Sequence, residues 1–256
     1  MTHRQRKLLL QLRTRRGRRK SGCMLVEGLR CSQEALTRRL DHLEFALCSQ
    51  EFADSADFAS VSVLMTDRLD IVPGAEFAEF AVTESPQGIL LVLRRPELAA
   101  PTHLPDPFTL ILDRIQEPGN LGTILRTAWA VGLRQVWLVG AGCDPYSPKA
   151  IRAGMGAQFA LDLPAADTLL TARDRLFELG LQRLWLAVPS GGVSCHADAF
   201  ELAGAGVVVG NEANGIENLD AGEHVSIPMP GDAESLNVAQ ATTLLLYEGV
   251  RRGLLA

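Results

Sequence analysis

Short apolar segments that end in glycine-rich or polar turns constrain the fold of this chain more than any other feature. Residues 207–209 are consecutive valines and lead into the Gly-Asn-Glu turn at 210–212. A second apolar segment at 225–230 is closed by prolines, and the polar run 235–237 leads into a helix. Short buried strands that alternate with helices predict an open parallel α/β sheet. Ligands bind such sheets beyond the carboxyl ends of the strands, so these turns form the candidate ligand site.

The length and composition fit a globular protein of a reducing compartment. The chain has 256 residues, enough for one large domain or two smaller ones, and no apolar run long enough to cross a bilayer. Its five cysteines are odd in number and form no close pair, and its histidines lack the spacing of metal ligands. This pattern argues against a disulfide framework and against a zinc site. We therefore predict a cytoplasmic protein that binds neither a membrane nor a metal.

The N-terminal segment differs in charge from the rest of the chain. Residues 1–20 hold nine basic side chains and no acidic one, whereas the net charge of the whole chain is −5. Leu8, Leu9 and Leu12 recur at helical spacing, which predicts a short amphipathic helix. A basic segment on an acidic body suggests a polyanion partner, and a disordered arm or an organelle transit peptide are the alternatives. The predicted contacts to the polyanion are Arg13, Arg15, Arg16, Arg18, Arg19 and Lys20.

Strands that alternate with helices predict two α/β units. The first covers residues 1–95, in which the apolar segments 45–48 and 61–65 are predicted to form strands. The proline-rich segment 96–106 lacks periodicity and is predicted to be a linker. The second unit covers residues 107–256 and contains the candidate ligand site.

Several common catalytic motifs are missing from the sequence. It holds no Gly-x-Gly-x-x-Gly, no P-loop lysine motif and no Gly-x-Ser-x-Gly elbow, which disfavours dinucleotide, kinase and hydrolase chemistry. Several polar residues remain near loops of the second unit: Asn120, Arg126, Asn211, Glu212, Ser235 and Asn237. Asn120 and Ser235 also suit helix N-caps, while Arg126 and Glu212 also suit a solvated surface. The residues alone therefore predict a ligand site in an α/β domain and leave the reaction open.

Three ordered motifs of the second unit resemble the SpoU family, also called TrmH, of RNA 2′-O-ribose methyltransferases. The first is PGNLGTILRTA at 118–128, the second surrounds the Gly-Asn-Glu turn at 209–216, and the third joins IPM at 227–229 to SLNVA at 235–239. The first unit is similar to the small α/β domain, like ribosomal protein L30e, that precedes the catalytic domain in ribosomal RNA members. Because the basic helix matches the start of that domain, the similarity disfavours a transit peptide.

The resemblance implies a fold and a set of ligands. It implies a parallel-sheet domain of the SPOUT superfamily with a trefoil knot, preceded by the small L30e-like domain. It further implies S-adenosyl-L-methionine as the cofactor, ribosomal RNA as the substrate, and a homodimer through the C-terminal domain, for which a small-residue helix face around Ala241 and Thr242 is suited. The residues that it assigns to the cofactor are Ala187, Val188, Pro189, Gly210, Asn211, Glu212, Ile227, Pro228, Met229, Ser235, Leu236, Asn237 and Ala239.

The resemblance also implies the catalytic residues, which are Asn120, Arg126, Glu212, Ser235 and Asn237. The family assigns activation of the ribose hydroxyl to the arginine of the first motif, here Arg126. Because a guanidinium stays protonated at ordinary pH, we predict that Arg126 instead binds an RNA phosphate and orients the hydroxyl. Transfer RNA is the alternative substrate. A non-catalytic RNA-binding or ribosome-assembly factor is the alternative outside enzymes, and a nicotinamide dehydrogenase is disfavoured by the missing glycine fingerprint.

Overall fold

The computed structural model describes residues 1–97 and 100–255, apart from the side chain of Thr66. These residues form two units, the first of which comprises 1–97 and 144–159. The segment 144–159 lies within the range predicted for the second domain, yet it packs in the first unit. The predicted linker includes Leu98 and Ala99, and the predicted second domain ends at Ala256; these three residues lie outside the described part of the chain.

A four-stranded sheet forms the centre of the first unit. Its strands are β1 (Cys23–Glu27), β2 (Leu43–Ser49), β3 (Leu69–Val72) and β4 (Ile89–Arg94), in the order β1-β4-β2-β3. The pairings of β4 with β1 and β2 are antiparallel, and that of β2 with β3 is parallel. The helices within 1–97 are α1 (His3–Leu12), α2 (Arg15–Ser21), α3 (Leu29–Arg39), α4 (Gln50–Ala53), α5 (Ala59–Met65) and α6 (Gly74–Ala78).

The basic N-terminal segment folds as part of this unit. Leu9 and Leu12 of α1 are fully buried in a cluster with Leu25 of β1, which confirms the predicted amphipathic helix. The side chain of Arg18 on α2 is buried as well, and its Nε lies 2.7 Å from Oδ2 of Asp144. The segment therefore contributes core residues and a buried ion pair to the unit.

The strand predicted at 61–65 is a helix, α5. Val61 and Met65 are fully buried four residues apart, while Val63 between them is 76% exposed. This spacing of buried positions is that of one helix face. The β-branched valines favour a strand locally, but tertiary packing decides the conformation.

The second unit is built on a seven-stranded sheet in which all pairings are parallel. This confirms the predicted parallel sheet. The strands are β5 (Thr109–Asp113), β6 (Val136–Val139), β7 (Ala165–Ala166), β8 (Arg183–Ala187), β9 (Val193–Ser194), β10 (Ala205–Val209) and β11 (Glu223–Ser226), in the order β7-β6-β5-β10-β8-β11-β9. The helices after residue 100 are α7 (Pro118–Ala130), α8 (Pro148–Ala153), which lies in the first unit, α9 (Leu169–Glu178) and α10 (Val238–Arg251). Within the described residues, none of the helices has the length and apolar character needed to span a bilayer.

A buried carboxylate ties α10 to the segment after β9. Glu248 is 5% exposed and accepts hydrogen bonds from Nδ1 of His196 at 2.8 Å, from Arg251 at 2.9 Å and from Arg252 at 3.2 Å. Burial alone would raise the pKa of Glu248, but these donors outweigh it and hold the pKa at about 2. Arg252 also donates to the main-chain oxygens of residues 195, 197 and 200 at 2.9–3.0 Å.

We expect Glu248→Gln to lower the free energy of unfolding by about 2 kcal/mol at pH 7, because hydrogen bonds to an ionised group are lost. The pKa of Glu248 in the folded chain lies below its ordinary 4.5, so the stabilisation is present above that value and is lost as pH falls towards 2. Urea unfolding at pH 7 and at about pH 3 measures this difference. Glu178→Gln, which removes an exposed carboxylate paired with Arg175, is the control and should change stability by less than about 0.5 kcal/mol. Equal changes in the free energy of unfolding for the two substitutions would contradict a stabilising role for the hydrogen bonds of Glu248.

Candidate active site

A cavity of about 480 Å³ lies at the carboxyl ends of β8, β10 and β11. Among the residues predicted to bind a cofactor, the exposed Pro228 and the buried Ala239 do not line it. The others line it: Ala187, Val188, Pro189, Gly210, Asn211, Glu212, Ile227, Met229, Ser235, Leu236 and Asn237. The candidate ligand site therefore lies at the carboxyl ends of parallel strands, the position typical of ligand sites in such sheets.

The cavity also has lining residues that were not predicted from the sequence to bind a cofactor. They are strand ends, turn residues and one face of α10, namely Val209, Ala213, Gly215, Val225, Val238, Ala241 and Leu245. Helical spacing could have found the α10 residues, because 238, 241 and 245 share one face. That face was expected to pack against a second subunit, but it lines the cavity and the core of its own chain.

The turn after β10 is closed on itself. Asn211 and Gly215 exchange two main-chain hydrogen bonds of 3.0 Å each. Oδ1 of Asn211 accepts from the amides of Ala213 and Asn214 at 2.9 Å. A Cβ atom at Gly210 would overlap the returning backbone of Gly215, so the close approach requires glycine. The closed turn fixes the direction in which Glu212 projects.

Arg114 fastens this turn to the end of β5. Its φ of 54° is in the left-handed region, which is uncommon for a residue with a Cβ. Its main-chain oxygen accepts from Nδ2 of Asn211 at 3.0 Å. Its guanidinium donates to both carboxylate oxygens of Asp113 at 3.1 and 3.2 Å and to the main-chain oxygen of Gly215 at 3.4 Å. Both ends of the turn are thus held by one residue, which was not selected from the sequence.

The carboxylate of Glu212 accepts hydrogen bonds from three donors. They are the amides of Gln116 and Glu117, each at 3.1 Å, and Nδ2 of Asn120 at 3.0 Å. Burial alone would raise the pKa of Glu212, but these hydrogen bonds outweigh it and lower the pKa. Glu212 is therefore an ionised acceptor whose two oxygens are both engaged.

A chain of hydrogen bonds joins Glu212, Asn120 and Asn237, and each NH₂ group donates in the direction of Glu212. We call it the Glu-Asn-Asn chain. Because Glu212 can only accept, Asn120 must turn its NH₂ group towards it. Oδ1 of Asn120 then accepts from Nδ2 of Asn237 at 3.1 Å. Oδ1 of Asn237 in turn accepts from the amides of Ala239 and Gln240 at 2.9 and 3.4 Å, as the N-cap of α10. Backbone amides thus fix both ends of the chain, and both asparagine orientations follow from them.

The sequence allowed Asn120 and Ser235 to be helix N-caps, and the structure shows that neither residue is one. The N-cap of α7 is Glu117, and Pro118 takes the first helical position that suits proline, so Asn120 is not the cap. The N-cap of α10 is Asn237 and not Ser235. Ser235 is exposed at the cavity, and its hydroxyl makes no hydrogen bond with the described residues.

Arg126 lies apart from the other predicted catalytic residues. It is on α7, about 9 Å along the helix axis from Asn120 at 1.5 Å per residue. Its side chain is exposed, does not line the cavity, and makes no hydrogen bond or ion pair within 1–97 or 100–255. The structure therefore brings together Asn120, Glu212, Ser235 and Asn237, and leaves the guanidinium of Arg126 facing solvent.

The predicted polyanion contacts divide into an exposed group and a tethered group. Arg15, Arg16, Arg19 and Lys20 line an open depression on α2, which we call the α2 basic patch. Arg13 donates to the main-chain oxygens of residues 79 and 81 at 2.6 and 2.9 Å. Arg18 is 4% exposed and ion-paired, which places it in the core and not on the surface that the prediction requires.

The comparison with protein families decides the identity of the second unit. Residues 107–247 match the model of the SpoU rRNA Methylase family. The chain belongs to this family. Residues 4–91 match the MRM3-like substrate binding domain, which confirms the predicted small α/β domain before the methyltransferase.

Individual members of the family are similar over nearly the whole chain. An uncharacterised tRNA/rRNA methyltransferase of Synechocystis is 32% identical over 96% of this chain and 90% of its own length. The 23S rRNA (guanosine(2553)-2′-O)-methyltransferase RlmP of Bacillus subtilis is 29% identical over 93% of this chain and 92% of its own. The AdoMet-bound rRNA methyltransferase of Sinorhizobium meliloti has a TM-score of 0.81 at 27% identity, covering 98% of this chain and 95% of that chain. The family and the α/β fold predicted from the sequence are therefore confirmed.

Proposed function

We propose that this chain transfers a methyl group from S-adenosylmethionine to a ribose 2′-hydroxyl of ribosomal RNA. The observation that carries the proposal is the Glu-Asn-Asn chain at the wall of a cofactor-sized cavity. The names of relatives support the acceptor, since the Bacillus subtilis protein is named as a 2′-O-methyltransferase of 23S rRNA. The AdoMet-bound Sinorhizobium meliloti structure supports the cofactor.

The residues of the cavity suit S-adenosylmethionine. Its volume of about 480 Å³ is within the range of small-molecule sites. Val188, Ile227 and Leu236 give it apolar surface for an adenine ring. No main-chain amide of residues 227–236 donates to another backbone group in the described chain, so this segment offers free polar groups to a ligand. When bound, the cofactor supplies a methyl group on a positively charged sulfur.

We propose a positioning role for Glu212, which its hydrogen bonds support. Its lowered pKa makes it a weak base, and both of its oxygens are already hydrogen-bonded. It holds Asn120, and through Asn120 it holds Asn237 at the cavity. The free hydroxyl of Ser235 is available to the ribose. We assign the proton of the 2′-hydroxyl to a phosphate oxygen of the RNA, which the guanidinium of Arg126 binds and orients.

A homodimer explains how Arg126 can act at this cavity. The outward face of α10 exposes Leu244, Tyr247 and Val250, of which Tyr247 is 52% exposed. Apolar residues at this helical spacing are typical of a face that packs against a partner. The face adjoins α7, because Oγ1 of Thr127, the neighbour of Arg126, lies 3.4 Å from Oγ1 of Thr243 on α10. In the proposed dimer, Arg126 of one subunit binds the RNA phosphate at the cavity of the other subunit.

We expect Leu244→Asp to convert the dimer into a monomer and to lower methyl transfer at least tenfold, because a buried charge at an interface costs several kcal/mol. Sedimentation velocity and the transfer rate measure the two effects. Leu170→Asp places the same charge on α9, where Leu170 is 40% exposed, and serves as the control. A monomeric wild-type protein that is fully active would contradict the dimer.

The α2 basic patch is proposed to bind RNA phosphates. We expect the combined change of Arg15, Arg16, Arg19 and Lys20 to glutamine to weaken RNA binding and to lower the slope of log K against log salt by about 3. Substitution is a cleaner test than removal of residues 1–20, because removal would also delete the buried Leu9, Leu12 and Arg18. Fluorescence anisotropy with ribosomal RNA at several salt concentrations gives the slope. An unchanged slope would exclude the patch as a phosphate contact.

The substrate class is tested by transfer of labelled methyl groups from S-adenosylmethionine to unmodified ribosomal RNA and, separately, to unmodified transfer RNA. Label in ribosomal RNA alone is expected, and label in transfer RNA alone would overturn the ribosomal assignment. We further propose a cytoplasmic location, since none of the five cysteines forms a disulfide in the described chain and the proposed substrate is ribosomal. The trefoil knot implied by the motifs stays a prediction.

A further inference from the structure

A second cleft, in the first unit, is lined by charged and polar side chains to which the proposed function gives no role. It has a volume of about 420 Å³ and lies at the carboxyl end of β1. Its wall combines the start of α3, the loop 83–87, and Arg152 and Met155 at the end of α8. We call it the β1 cleft.

The floor of the β1 cleft is fixed by hydrogen bonds within the unit. Glu27 is 5% exposed, and its carboxylate accepts from the amide of Val82 at 2.9 Å and from the hydroxyl of Thr83. Oε1 of Gln87 accepts from the amide of Leu29 at 2.9 Å. The acceptor atoms of Glu27 and Gln87 are thus occupied before any ligand enters.

Three side chains of the cleft offer donors to a ligand. Arg152 is exposed, and its side chain makes no hydrogen bond or ion pair within the described residues. The side chain of Arg30 is 63% exposed and lies 3.1 Å from the carboxylate of Glu34, which also pairs with Arg38. The NH₂ group of Gln87 has no partner in the described chain either. Such a cleft favours a ligand that is anionic and rich in acceptors, with apolar surface to lie against Leu29 and Met155.

A nucleotide of a single RNA strand has this combination of groups. Its phosphate accepts from guanidinium groups, its base edge accepts from an amide, and its base face packs on apolar side chains. A duplex keeps its bases stacked and paired, so it presents only its backbone to such a cleft. The first unit also matches a family described as a substrate binding domain.

We propose that the β1 cleft binds one unpaired nucleotide of the RNA substrate, with Arg30 and Arg152 on its phosphate and Gln87 on its base. The site combines two parts of the sequence. Arg152 comes from the region matched by the SpoU family, while Arg30 and Gln87 come from the region matched by the substrate-binding family. The proposal rests on the proposed function for the identity of the ligand as RNA.

The test uses the full chain and two RNA probes, a fluorescein-labelled single strand of about 12 nucleotides and the same strand in a duplex. Arg30→Ala and Arg152→Ala are each expected to weaken single-strand binding about fivefold to tenfold and to lower its salt slope by about 1. Gln87→Ala should weaken single-strand binding with an unchanged salt slope. Arg94→Ala removes the same charge from the end of β4, outside the cleft, where Arg94 pairs with Glu44, and should change binding less than about twofold.

Methyl transfer separates this proposal from the proposed function. With ribosomal RNA, the cleft variants should raise KM while kcat and the Kd for S-adenosylhomocysteine stay at wild-type values. If the wild type methylates RNA and the variants bind the single strand as the wild type does, the cleft proposal is wrong and the function stands. If the wild type transfers no methyl group, the function fails, and the anisotropy data still decide whether the cleft binds RNA. If the variants lost single-strand and duplex binding equally, the cleft would only attract the RNA phosphate backbone, and the proposed site for an unpaired nucleotide would be wrong.

Discussion

Replacing Glu212 with glutamine is expected to lower kcat for RNA methylation about 100-fold or more, although the two side chains have nearly the same shape. The loss follows from the polarity of the Glu-Asn-Asn chain. If the NH₂ group of the new glutamine faces the amide of Gln116, two donors oppose each other. If it faces Asn120 instead, it also opposes the amide of Glu117, and a flip of Asn120 only moves the second conflict to Asn237 and the first amides of α10.

Every arrangement of the variant therefore leaves at least one donor facing another donor. Two donors that face each other cannot form a hydrogen bond, and the structure avoids this contact by moving side chains at the cavity. A displacement of about 1 Å in a catalytic group can lower a rate about 100-fold. Steady-state kinetics with ribosomal RNA and circular dichroism measure the rate and the fold.

Glu217→Gln is the matched control for this substitution. Glu217 is an exposed carboxylate just after the same turn, 3.6 Å from Nε of Arg114, and its side chain does not contact the Glu-Asn-Asn chain. It should keep kcat within about twofold of the wild type. A Glu212→Gln variant with the kcat of the wild type would show that the chain does not position the reacting groups.

Replacing Arg126 with alanine is expected to lower kcat about 100-fold to 1,000-fold, the usual effect of removing one positioned charge donor. Because Arg126 is exposed and has no partner in the described chain, we expect the thermal midpoint and the Kd for S-adenosylhomocysteine to stay unchanged. Arg126→Lys should recover only part of the rate, since an ammonium group cannot bind a phosphate in bidentate fashion. Arg173→Ala, on α9 and paired with Asp174, is the control. If the variant lost cofactor binding as well as kcat, the proposed role of Arg126 in binding an RNA phosphate would be wrong.

Mixed dimers test whether Arg126 acts across subunits. A dimer that combines one Arg126→Ala subunit with one Glu212→Gln subunit keeps one site with both native residues if the two act in trans. Such a mixture should recover about half of the wild-type rate per dimer. No recovery in verified mixed dimers would place Arg126 at the cavity of its own chain.

Much of the fold and of the cavity wall could be predicted from the sequence, because the signals are local. The valine run at 207–209 and the turn at 210–212 predicted a parallel strand followed by a loop, and the structure has the strand with the turn at the cavity. Asn237 and Ser235 were selected from one motif and line the cavity. In each case a few adjacent residues carry the information.

The parts that could not be predicted depend on pairing between distant residues. Glu212 and Asn120 are 92 positions apart, and Asn237 and Asn120 are 117 apart, so the order of the sheet brings them together. Arg18 was grouped with its basic neighbours, and only the fold shows that it pairs with Asp144 inside the first unit. Arg114 was not selected, because its role depends on a left-handed backbone and on contacts with a turn about a hundred residues away.

The position of the transferred methyl group tests the central claim most directly. Ribosomal RNA is labelled by this chain with methyl-labelled S-adenosylmethionine and is then hydrolysed in alkali, which cleaves RNA only next to a free 2′-hydroxyl. Label in an alkali-resistant dinucleotide is the result that the account predicts, because a methylated ribose blocks cleavage. Label in mononucleotides would mean that a base is methylated, and it would contradict the assignment of the ribose hydroxyl to this site.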